Sequence, residues 1–160
     1  MSPSRDLPDI GQVLLPILAR VSAEQQPLLI ALAERLAADR YRGWAAAASD
    51  PQRRERLLAC AAREEDIARR VEALYPDAAR VQRDITERNP DLLEVNRALF
   101  ADRPLEDQYT IQARGERLGA ATWRSLAKQV PHARETFLAC AELEEASAAV
   151  LESFLAGGQA

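Results

Sequence analysis

The chain has 160 residues with 21 basic and 25 acidic side chains interspersed, a formal charge of −4 that leaves no basic footprint for nucleic acid. Ala and Leu supply most of its 48% hydrophobic content and there are only 6 glycines, so the composition is that of helices, and the length suffices to bury one core without disulfide or metal staples. Two cysteines, Cys60 and Cys140, do not make a secreted disulfide scaffold; reduced thiols in a soluble cytoplasmic protein are the simpler expectation.

Residues 1–26 read as an accessory segment. Within it Ile10, Val13, Leu14, Ile17, Leu18 and Val21 recur at steps of three and four, which predicts a short amphipathic helix whose regularity Pro16 limits. The apolar run Val13–Ala19 follows Asp6 and Asp9 rather than a basic stretch and is too short to span a bilayer, so neither a signal peptide nor a membrane anchor is expected. An all-α four-helix bundle is expected over 27–156. Its first helix runs from Pro27, a favoured first-turn residue, to Ala48, and Ser49-Asp50-Pro51 supplies both the stop and the next start. The second spans 51–74 and ends at Tyr75-Pro76-Asp77. Residues 76–108 hold Pro76, Pro90 and Pro104 among mixed charges, the pattern of a long crossover with one or two short helices. A third helix is predicted over 105–129, a turn at Val130-Pro131-His132, and a fourth over 133–155. Gly157-Gly158 is expected to stop it and open a frayed tail, 157–160.

The two halves of the bundle repeat each other. Glu34-Arg35-Leu36 aligns with Glu116-Arg117-Leu118 at an offset of 82, and Leu58-Ala59-Cys60-Ala61 with Leu138-Ala139-Cys140-Ala141 at an offset of 80, with Glu64-Glu65 falling on Glu144-Glu145. The two-residue difference lies in the turn region, where an insertion costs least. Ala-rich helices also resemble one another by chance. A duplicated hairpin explains more: each hairpin leaves an apolar stripe that only the other can cover, and a long connection between them makes a bundle with one crossover.

Glutamate interrupts every apolar seam. On the second helix Leu57, Cys60, Glu64, Ile67, Val71 and Leu74 share one face, and on the fourth Phe137, Cys140, Glu144, Ser147, Leu151 and Phe154 follow at identical steps. The first helix aligns Ile30, Glu34, Ala37, Tyr41, Trp44 and Ala48, and the third Gln112, Glu116, Gly119, Trp123, Leu126 and Val130. Burying an ionised carboxylate costs several kcal/mol, so four near one level require metal, partner cations, trapped protons or water.

This arrangement resembles the ferritin-like superfamily, particularly its rubrerythrin-like branch, over residues 28–155. The resemblance rests on Glu34 with Tyr41 seven positions on, Glu116 with Trp123 at the same spacing, and Glu64 and Glu144 each opening what would be a Glu-x-x-His element. It implies a bundle in which these four glutamates and two histidines bind a di-iron or di-manganese centre that reacts with oxygen or peroxide. The chain departs from that pattern, because Ile67 and Ser147 stand at the histidine positions and the only histidine, His132, falls at a turn. A standard dinuclear centre is not completed.

Three functions follow from these residues. In the first the site is modified and non-catalytic, its glutamates held by protonation, by Tyr41 and water, or by Arg35, Arg63 and Arg117, and the protein binds or assembles. The second keeps iron, manganese or another hard cation on Glu34, Glu64, Glu116 and Glu144 with waters, Tyr41, Trp123 and Ser147 standing behind the ligands; an enzyme of this kind would be an oxidoreductase. In the third the glutamates are solvated in a protein-interaction module, and the N-terminal helix caps the bundle or pairs with a second copy as a homodimer. Cys60 and Cys140 read as packing, and the aromatic residues as core or as supports for the carboxylates. No phosphate loop, Cys-x-x-Cys or nucleophile-base-acid set is present, so hydrolase and nucleotide-enzyme readings lack support.

Overall fold

The computed structural model describes residues 6–158, and among them the chain is all-α, with seven α-helices and no strand. The helices are α1 Ile10–Leu18, α2 Gln26–Ala47, α3 Pro51–Glu72, α4 Ala78–Arg88, α5 Leu92–Ala98, α6 Leu105–Gln129 and α7 Arg134–Gly157; a single 3-10 turn, Pro131–Ala133, joins α6 to α7. None of the described helices is long and apolar enough to cross a membrane.

Local chemistry sets these boundaries. The Asp50 carboxylate accepts hydrogen bonds from the backbone N–H of Gln52 and Arg53 at 3.2 and 3.4 Å, and Pro51 occupies the first turn of α3, where its missing N–H costs nothing. The helices α2 and α3 therefore fold back as a hairpin. The pair α6–α7 does the same, and α3 packs on α7 to join the two. Of the one or two short helices expected in the 76–108 connection, two form, α4 and α5.

Gly157 departs from its predicted role. It is the last residue of α7 rather than a stop, and Gly158 keeps a right-handed φ of −73° while its N–H extends the ladder to Phe154 O at 3.1 Å. No left-handed glycine cap forms among the described residues. Of the accessory segment and the tail, residues 1–5 and 159–160 lie outside the described residues.

The repeat reappears as matched ion pairs. Arg35 grips Glu72 and Arg117 grips Glu152, at 2.7 and 2.8 Å, and Arg42–Glu65 is matched by Arg124–Glu145 at 2.5 and 2.8 Å. Each pair ties the first helix of a hairpin to its second at the offsets of 82 and 80 read from the sequence. Half-exposed pairs of this kind add little stability, but they fix helix register.

The α1 segment is built into the fold. Ile17 and Val21 are buried with Leu28 and Leu29 of α2, Val81 and Ile85 of α4 and Leu92 of α5, forming an apolar cluster at one end of the hairpins. Arg20 ties the end of α1 to Asp91 at 3.0 Å, and Gln26 Nε2 donates to the Leu18 carbonyl at 3.2 Å.

Candidate functional site: a buried carboxylate core

The seams face inward and bring their glutamates with them. Glu34, Glu64, Glu116 and Glu144 are all buried, with 8, 0, 1 and 2% of their surface exposed, so none is solvated at a seam edge. The solvated arrangement weighed for an interaction module is thereby excluded. One carboxylate oxygen from each of Glu34, Glu64 and Glu144 lies within 4.8 Å of the other two. Glu116 stands beside Glu144 but outside this trio.

Donors from three helices hold the carboxylates. Tyr41 Oη donates to Glu116 Oε1 at 2.6 Å, and Gln112 Nε2 donates to the same oxygen at 2.8 Å. Trp123 Nε1 donates to Glu144 Oε1 at 3.0 Å, and Ser147 Oγ to Glu64 Oε1 at 2.9 Å. Tyr41, Trp123 and Ser147 thus stand directly behind three of the four glutamates. The remaining Glu64 oxygen, Oε2, is enclosed and has no hydrogen-bond partner. A buried ionised oxygen left in that state is costly, and a proton or a cation is needed to satisfy it.

The charges push on one another. Burial raises the Glu34 carboxyl from its ordinary 4.5 to about 7, with the Glu116 charge adding to the push and hydrogen bonds to Glu64 and Glu144 restraining it. Burial, then the charges of Glu116 and Glu34, lifts Glu64 well above the usual carboxylate range. Burial and the Glu34 charge do the same to Glu144. A proton shared between Glu34 and Glu64 would relieve this pair as a cation would.

Two of the arginines expected to neutralise this core do not do so. Arg35 and Arg117 point outward to Glu72 and Glu152, because a residue next to an inward glutamate on a helix is turned about 100° away from it. Arg63 Nε is enclosed without a hydrogen-bond partner. The nearby cation is instead Arg40, which sequence reasoning missed. Its guanidinium lies 3.7 Å above the Phe100 ring, donates to Gln112 Oε1 at 2.7 Å and to Asn96 Oδ1, and is drawn electrostatically to Glu116, Glu34 and Glu64. Burial lowers its pKa to about 10, so it stays charged at neutral pH.

Glycine and small side chains make the close approach possible. A methyl group at Gly119 would overlap Glu144 Oε1 and stand 2.8 Å from its Cδ. Gly119→Ala is expected to push Glu144 off Trp123. The overlap outweighs the helix-propensity gain of about 1 kcal/mol, for a net loss of about 1 kcal/mol in urea unfolding.

The two histidine positions of the ferritin-like pattern have different fates. Ser147 reaches across from α7 to Glu64 on α3. Ile67 is fully buried in an apolar cluster with Trp123, Phe137 and Cys140, so its place is filled by packing. Burial raises the thiols of Cys60 and Cys140 to about 11 and about 12, which keeps them protonated and inert, as packing residues should be. His132 is exposed on the 3-10 turn.

These donors fit one kind of metal and not another. Without imidazoles, and with Ile67 filling one ligand place, the set does not suit a redox metal pair. An all-oxygen trio with an unsatisfied Glu64 oxygen suits a single hard ion: oxygens on opposite sides of calcium lie about 4.6 to 5.2 Å apart, and of magnesium about 4 Å. Comparison with known proteins gives no further constraint, since no family model, curated protein or solved structure matches the chain.

Proposed function

We propose that this chain is a ferritin-like four-helix bundle whose modified carboxylate core is non-catalytic and binds one hard divalent cation, of the manganese, iron(II), magnesium or calcium class. The observation that carries this reading is the enclosed, unpartnered Glu64 Oε2 beside the converging oxygens of Glu34 and Glu144. Glu34, Glu64 and Glu144 would hold the ion, and Ser147 and Trp123 would orient two of them. When bound, the ion would cancel the repulsion of the core and lock α2, α3 and α7 together.

A second reading dispenses with the ion and leaves protons in the core. It is favoured by the four donors already committed to Glu64, Glu116 and Glu144 and by the raised Glu34. Thermal unfolding of chelator-stripped protein separates the two. Manganese or calcium at a hundredfold excess over its Kd should add about 2.7 kcal/mol, a rise of about 5 to 10 °C, and Glu64→Gln should abolish that rise. An unchanged unfolding temperature with every ion of the class would leave only the proton-held core.

A further inference from the structure

A cavity of about 350 Å³ separates α2 from α6 and is roofed by α1. That volume falls within the range of small-molecule sites, about 300 to 1,000 Å³. It lies between repeat-equivalent positions: Ala33, Glu34 and Ala37 on α2 face it as Gly115, Glu116 and Gly119 do on α6. Small residues at those places leave the space, and α1 closes over it. The roof is seated tightly on one side, since a methyl group at Gly115 would come 2.7 Å from Ile10 Cδ1 and one at Gly11 would come 2.5 Å from Leu118 Cδ2.

The cavity is apolar above and acidic below. Leu14 and Ile17 hang from the roof and Leu29 and Ile30 line the α2 wall, while Glu34, Glu116 and Glu144 reach the floor. Arg40 is the one cation among its lining residues. It is poorly placed to take an anion, because its two terminal nitrogens are committed to Gln112 and Asn96 and its face to Phe100. With Arg40 engaged, the carboxyl oxygens of Glu34, Glu116 and Glu144 are left to meet a ligand, and they suit a hydrogen-bond-donating cation better than an anion. At the rim Leu15 and Leu118 are 61 and 43% exposed, an apolar approach to an apolar space.

We propose that this cavity binds a small amphiphilic amine, with its apolar body under α1 and its ammonium group against Glu116. Glu116 is oriented for this by Tyr41 and Gln112, which both donate to Oε1. The site goes beyond the cation reading and is tested without the ion, because Glu34 and Glu144 line the cavity floor as well as the ion site. Glu116 stands outside the converging trio and faces the cavity whether or not an ion sits on Glu34, Glu64 and Glu144.

The test is calorimetric titration of the full chain, stripped of divalent ions, with octylamine, octanol and octanoate at neutral pH. Octylamine should bind with one molecule per chain and at least about tenfold more tightly than octanol, and octanoate should show no saturable binding. Glu116→Gln should remove the preference for the amine while octanol still binds, which shows that the cavity persists. Leu14→Trp, a change on the half-buried roof, should fill the space and abolish binding of both. Octylamine that fails to saturate, binds no better than octanol, or binds Leu14→Trp unchanged would overturn the proposal.

Discussion

Replacing Glu64 and Glu144 together with Gln is expected to raise the stability of the metal-free protein at pH 8 by about 1 to 4 kcal/mol, the range seen when buried charges give way to neutral groups. Both carboxyls are held above the ordinary range by burial first and by their neighbours' charges second. A raised pKa means that the folded chain holds protons that the unfolded chain has released. The stability tied to those protons is fully present below about 4.5, the unfolded value, and is lost as pH rises, through about 7 for Glu34 and with the same sign for the other two, whose carboxyls burial holds well above the ordinary range. The parent should therefore weaken steadily from pH 4.5 to 8 when no ion is present. The double variant should weaken less, so the gap between the two proteins opens with pH and nearly closes at pH 4.5. Urea unfolding at several pH values reads this directly. A double variant that is less stable than its parent at pH 8 would mean the carboxylates are net stabilising without an ion.

Trp123→Ala is expected to cost about 4 kcal/mol, at the upper end for single substitutions. The indole is fully buried, stacks on Phe137 with ring centroids 5.3 Å apart, and closes the apolar cluster around Ile67 and Cys140. It also donates to Glu144, which is why Trp123→Phe is informative beside it. Phe keeps most of the packing and removes the N–H, so its cost should be about 1 kcal/mol, the range for a hydrogen bond to a carboxyl that burial keeps protonated. If Phe is tolerated at no cost, Glu144 gains nothing from the indole and Trp123 is packing alone.

The inward faces of the long helices were legible because the steps of three and four are uninterrupted. Leu57, Cys60, Glu64, Ile67 and Val71 are all completely buried, and so are the matching positions of α7 up to Leu151, apart from traces at Phe137 and Glu144. The close approach of three glutamates was also legible, since each occupies a seam position that a duplicated hairpin must point inward. Arg40 was not. It lies on the flank of the α2 seam, its repeat equivalent is Thr122, and its partners Asn96 and Gln112 come from α5 and α6. Nothing local joins those three residues. Arg35 and Arg117 misled for the opposite reason, because adjacency in sequence to Glu34 and Glu116 is separation around a helix.

The cavity escaped for a different physical reason. A periodic pattern shows which face is turned inward, not how far apart two inward faces stand. Ala33, Ala37, Gly115 and Gly119 are small residues at repeat-equivalent places, and that coincidence was the available signal. The α1 segment, set apart as an accessory, shares a core cluster with α2, α4 and α5 and forms the roof of that space.

The most direct measurement of the central claim is the metal content of tag-free protein, stripped with chelator, reloaded with manganese and freed of excess ion. One equivalent per chain, absent from the Glu64→Gln, Glu144→Gln variant, is the result expected of a histidine-free site for a single hard cation. Two equivalents would contradict it by restoring a dinuclear centre, and none would contradict it by leaving the four glutamates to protons.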